Sequence, residues 1–104
     1  MAVYIALHFF KDDLKYYKTI GEIVMTKKDD IWEKATPIKG RNPNTWRKDA
    51  YGNMLRYGSY GTKGQYGWEL DHKNPKSNGG TNNIRNIQPL QWSENRKKGD
   101  KYPY

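Results

Sequence analysis

Hydrophobic positions in this 104-residue chain come in short runs separated by polar and glycine-rich stretches. Over residues 3–10, Val3, Ile5, Leu7 and Phe9 alternate with Tyr4, Ala6, His8 and Phe10, which predicts a strand with two largely apolar faces. His8 within it reads as a packed residue rather than a catalytic one. Residues 11–19 read as a short helix or a polar connection, and residues 22–26 as a short strand after Gly21. Asp29 or Asp30 is placed to cap a brief helix through Ile31 and Trp32, stopped by Pro37. Residues 39–45, KGRNPNT, are turn chemistry. Two short runs around Tyr51-Gly52-Asn53 then predict a β-hairpin. Residues 58–67, GSYGTKGQYG, form a connecting loop that Tyr60 and Tyr66 can pin to the core.

The pattern is clearest in residues 67–99. Residues 66–72 read as a strand with Trp68 and Leu70 inward. A polar loop, KNPKSNGGT, follows over residues 73–81. Residues 86–90 form a second strand, which Pro89 keeps brief or at an edge. Ser93 is placed to cap a final helix through Lys98, ended by Gly99. The order is strand, loop, strand, helix.

Composition narrows what such a unit can do. The length suits one small domain. With a mean hydropathy of −1.16, the four Trp and nine Tyr must supply much of the buried area, with their polar atoms paired or at the surface. There is no cysteine, so disulfides and thiolate zinc sites are excluded. Two histidines rule out a three-His cage. Any metal must therefore take oxygen ligands, which favours Mg²⁺ or Mn²⁺. The apolar start is too short to span a bilayer and lacks the layout of a signal peptide, so a cytoplasmic protein with no membrane partner is expected.

Charge is unevenly spread. Residues 1–40 carry seven Lys/Arg and six Asp/Glu, whereas residues 41–104 carry twelve and five. The net charge of +8 thus lies almost wholly in the second part, where it would attract a polyanion, foremost nucleic acid. Lys73, Lys76, Arg85, Arg96, Lys97 and Lys98 surround the strand–loop–strand–helix unit in sequence. Arg47, Lys48 and Arg56 on the hairpin are further candidates for phosphate contact.

Within the unit, Asp71-His72 closes the first strand, Asn86 opens the second fourteen residues later, and Asn95 follows in the helix after nine more. An imidazole can take a proton from water near neutral pH. A carboxylate and an amide oxygen suit a hard divalent ion. Adjacent strand residues point to opposite faces. Asp71 and His72 can face one site only if the strand ends, twists or bulges there. Glu69 shares the nominal face of Asp71 and is expected to be structural.

The order Asp-His, Gly-Gly loop, Asn-Ile-Gln, then Asn with Lys nearby resembles the HNH nucleases, with Asn95 in place of the third-letter histidine. The resemblance is strong over about a third of the chain. It implies an α+β fold with a ββα-metal (His-Me finger) core at residues 67–99. Residues 41–104 would form the nuclease core of a single domain, residues 1–40 an N-terminal extension. It further implies a one-metal endonuclease acting on DNA, foremost duplex DNA. His72 would be the general base, Asp71 and Asn95 the ligands of one Mg²⁺ or Mn²⁺, and Asn86 the residue orienting His72. A non-catalytic nucleic-acid-binding module and an RNA-directed nuclease are the alternatives.

Overall fold

The computed structural model describes residues 18–20, 23–25 and 27–104. The strand expected over residues 3–10 and residues 11–17 of the helix or connection expected over 11–19 lie outside them, whereas Lys18 and Thr19 are in a strand rather than in that connection. Two short strands, β1 (Lys18–Ile20) and β2 (Ile23–Met25), pair antiparallel. Helix α1 (Lys27–Trp32) follows. Asp29 and Asp30 lie in its first turn rather than before it, where their charge opposes the positive helix end. Its close is 3₁₀-like, with Lys34 N donating to Ile31 O at 2.9 Å and Ala35 N to Trp32 O at 3.0 Å.

Strands β3 (Thr36–Pro37), β4 (Trp46–Lys48) and β5 (Met54–Arg56) form a small antiparallel sheet in that order. The expected hairpin is β4–β5, and β3 adds an edge that residue pattern did not predict. Asp49 organises its turn. This buried carboxylate accepts from the amides of Tyr51 at 2.9 Å and Asn53 at 2.8 Å. It also accepts from Gln91 N at 3.1 Å, which ties the turn to the second half of the molecule.

That half is the antiparallel pair β6 (Trp68–His72) and β7 (Ile87–Gln91), with α2 (Trp92–Lys98) following directly. The helix is capped by Gln91, whose side-chain oxygen accepts from Glu94 N at 2.9 Å and from Ser93 Oγ at 2.6 Å. Ser93 therefore sits inside the first turn, two residues beyond the position expected of it. Gly99 closes the helix at φ +52°, its amide donating to Asn95 O.

The core is aromatic, as the scarcity of aliphatics requires. Trp32, Ala35, Leu55 and Trp68 are buried together, with Tyr57 and Leu70 packed against them. Trp32 and Trp68 lie 5.1 Å apart, and Tyr60 meets Trp68 edge-on at 4.8 Å. Tyr66 meets Trp46 in the same way at 5.0 Å, so both tyrosines of the Gly-rich loop pin it down. Each buried indole N–H finds a carbonyl: Trp32 donates to Pro43 O and Trp68 to Arg56 O, both at 3.0 Å. Among the described residues no helix is long and apolar enough to cross a membrane.

Gly67 shows how tightly the loop closes on β6. A Cβ there would lie 1.9 Å from the Thr62 carbonyl oxygen. Gly67→Ala is expected to cost about 1–3 kcal/mol, the usual penalty of overpacking against backbone, read as a lower urea midpoint at unchanged m-value.

Candidate functional site

The β6–β7 ladder runs without a bulge, pairing Trp68 with Gln91 and continuing to His72 with Ile87. The strand does not break its alternation at Asp71 and His72. Each side chain instead meets a different neighbourhood.

Asp71 turns towards α2. Its carboxylate takes Lys98 Nζ on Oδ1 at 3.3 Å and Gln88 Nε2 on Oδ2 at 2.9 Å. Both ions are deeply buried, at 7% and 1% exposure. Lys98 also donates to His72 O at 2.9 Å, so one ammonium ties the end of β6 to the last turn of α2.

Glu69, two residues earlier, makes a parallel rung. It accepts from Asn95 Nδ2 at 2.7 Å and takes both guanidinium nitrogens of Arg96, at 2.8 and 2.9 Å. Strand residues i and i+2 thus meet helix residues i and i+3. The Arg96 hydrogen bonds hold the Glu69 carboxyl below its ordinary 4.5 despite partial burial, and Asn95 adds to the effect. Because the folded value is depressed, this contribution is complete above about pH 4.5 and is lost as pH falls through the folded value. Glu69→Gln is expected to show a shallower acid limb below that pH in a stability profile followed by circular dichroism.

His72 turns the other way. Its Nε2 lies 2.7 Å from Asn82 Oδ1. A carbonyl oxygen there accepts, so the ring donates through Nε2, and in the neutral imidazole the lone pair is then on Nδ1. Asn86, expected to orient His72, does not bond the ring. Its amide instead clamps the loop that carries Asn82. Oδ1 accepts from Asn74 N at 2.9 Å, while Nδ2 donates to Asn74 O at 3.0 Å and Thr81 O at 2.8 Å. Its backbone carbonyl accepts from Lys73 N, one residue past His72, at 2.7 Å. Gly80 completes the clamp, since a Cβ there would lie 1.7 Å from Asn74 O.

The candidate phosphate contacts separate into two groups. Lys48, Arg56, Lys73, Lys76, Arg85 and Lys97 are exposed. Arg96 is exposed but engaged by Glu69. Arg47 is a structural residue: its guanidinium donates to the carbonyls of Pro43, Glu33 and Ala35 and lies 5.8 Å over the Trp32 ring. Lys98 is buried against Asp71. As placed, neither Arg47 nor Lys98 is open to a phosphate.

Among the described residues no three His, Asp or Glu side chains gather into a metal-binding group. Two oxygen donors nonetheless suit a hard cation, with water and phosphate supplying the rest. Each Asp71 oxygen keeps lone-pair capacity beyond the single bond it accepts. Asn95 spends its N–H on Glu69, and among the described residues no donor reaches its Oδ1. Sequence reasoning missed Asn82, Gln88 and the Lys98–Asp71 pair. No spacing marks them, because their partners lie 10, 17 and 27 residues away.

A strand pair leading straight into a helix, with a buried Asp, a loop-held His and an Asn on the helix, gives residues 68–98 a small α+β arrangement compatible with the HNH fold. Residues 59–101 match the family model described as HNH endonuclease. That segment takes in β6, β7, α2 and the loop between the strands, and the mixed helix-and-strand architecture is compatible with the fold. The match is consistent with a small HNH-family protein and suggests a nuclease or nucleic-acid-binding function. Comparison with curated proteins and with solved structures gives no match.

Proposed function

We propose that this chain is a metal-dependent endonuclease that hydrolyses phosphodiester bonds in DNA. The observation that carries the reading is the His72–Asn82 contact, which occupies Nε2 and leaves Nδ1 as the basic nitrogen of the neutral ring. His72 takes the proton of the attacking water at Nδ1. Asn82 Oδ1, already accepting from Nε2–H, stabilises the ring as it becomes positive. Asn86 acts one step back by fixing the loop that holds Asn82. Asp71 and Asn95 are the residues that would hold one Mg²⁺ or Mn²⁺; because the unbroken ladder turns Asp71 and His72 to opposite sides, the end of β6 must twist for both to serve one phosphate. The chemistry such an ion supplies when bound is Lewis-acid stabilisation of charge on the phosphate and the leaving oxygen. Glu69 directs the Asn95 amide so that its oxygen is available. The exposed cations Lys73, Lys76, Arg85 and Lys97, with Lys48 and Arg56 on the hairpin, face the polyanion.

A second reading, a binding module of the same fold, is favoured by one observation: Lys98 already neutralises Asp71. Incubation of supercoiled plasmid with Mg²⁺, Mn²⁺ or EDTA separates the two. The endonuclease reading expects relaxed or linear product with a divalent ion and none in EDTA. Binding without cutting in all three conditions supports the module, and faster cutting of an RNA than of a matched duplex moves the substrate to RNA.

A further inference from the structure

Lysines from outside the matched segment converge on the neighbourhood of His72. Lys34, just beyond α1, donates to the carbonyls of Ile84 and Ile87, the latter at 2.8 Å. Ile87 is the cross-strand partner of His72. Lys27 reaches the carbonyl of Asn82, the residue that holds the His72 ring, at 3.4 Å. Lys73 follows His72 directly. Lys34 and Lys73 line a cavity of about 140 Å³ together with Thr36 and Gln88.

Neither the Arg96–Glu69 nor the Lys98–Asp71 ion pair involves Lys34 or Lys73. Burial, and then the like charges of Lys73 and Lys27, hold the Lys34 ammonium below its ordinary 10.5. Two carbonyls use two of its three N–H donors and leave one for a ligand. Like charges held close around a cavity are relieved by an anion.

We propose that Lys34 and Lys73 together seat one backbone phosphate of the bound nucleic acid, beside the phosphate presented to His72. The proposal rests on the nucleic-acid reading above. It makes the segment before the matched region part of the substrate track and Lys34 a positioning residue.

Each phosphate neutralised on B-DNA contributes about 0.9 to the slope of log K against log salt. Binding of a labelled duplex in EDTA, followed by anisotropy across a salt series, therefore tests the seat. Lys34→Gln and Lys73→Gln are each expected to flatten the slope. Because they share one phosphate, the double variant is expected to lose about 0.9 in all. A loss near 1.8 in the double variant means two separate phosphates and overturns the shared seat. Parental slopes in both single variants overturn the seat altogether. If Lys34→Gln fails to fold, Thr36→Glu in the same cavity wall decides: weaker duplex binding supports the seat, and parental binding overturns it. Should the parent cut DNA while every variant keeps its slope, only this inference falls. Failure of the parent to bind any duplex overturns the function as well.

Discussion

His72→Ala is expected to lower DNA cleavage by about 10²–10⁴-fold, the usual contribution of a positioned acid–base group. Single-turnover nicking of plasmid with saturating divalent ion is the appropriate measurement. The fold should survive, because the side chain's recorded bond is the one to Asn82 at the loop surface, and its backbone carbonyl still accepts from Lys98. Duplex affinity in EDTA should remain near that of the parent, since His72 is assigned to the water and not to the backbone. Nicking at the parental rate would remove His72 from the reaction. Equal losses of binding and cleavage would make it a structural residue of the loop instead.

Lys98→Met is expected to destabilise the protein by about 3–5 kcal/mol, the cost of leaving a buried charge without its partner. Among the described residues Asp71 then keeps Gln88 as its one side-chain donor, and the His72 carbonyl loses the ammonium. Urea unfolding gives the comparison. Adding Asp71→Asn to Lys98→Met should recover much of the loss, because no charge then remains buried. A Lys98→Met variant within about 0.5 kcal/mol of the parent, the range of ordinary surface substitutions, would mean that water reaches Asp71. The pair also explains why a lysine read as a phosphate contact is spent elsewhere. Three consecutive basic residues, Arg96, Lys97 and Lys98, wind round a helix, and only some can face the solvent. Arg96 meets Glu69, Lys97 is exposed, and Lys98 turns under β6.

Much of the second half is legible in the residue pattern. Trp68 and Leu70 alternate inward as read, Pro89 sits in a strand of a two-stranded pair, and Gly99 ends the last helix. These signals are local: period, a missing N–H, a residue free to adopt positive φ. The hairpin was legible for the same reason. Its third strand was not, since Thr36 and Pro37 are two residues whose pairing with Lys48 and Arg47 is decided across a loop. The cap of α2 also escaped pattern reading. Ser93 is a usual capping residue but lies inside the first turn, and Gln91, at the cap position, reaches forward to satisfy Glu94 N.

The amino-acid sequence by itself determined the ingredients of this protein. It set an oxygen-only donor set, because there is no cysteine and too little histidine, and a positive second half suited to a polyanion. It also set an ordered Asp-His, Asn and Asn in a strand, loop, strand, helix frame. Only the tertiary structure decided who touches whom. An unbroken ladder sends Asp71 to Lys98 and His72 to Asn82. Asn86 becomes the clamp of a loop rather than the partner of a ring, and α1 brings Lys34 against the neighbourhood of His72. Periodicity assigns a side chain to a face. The partner it finds there depends on chain segments tens of residues away, whose approach is fixed by packing around Trp32 and Trp68.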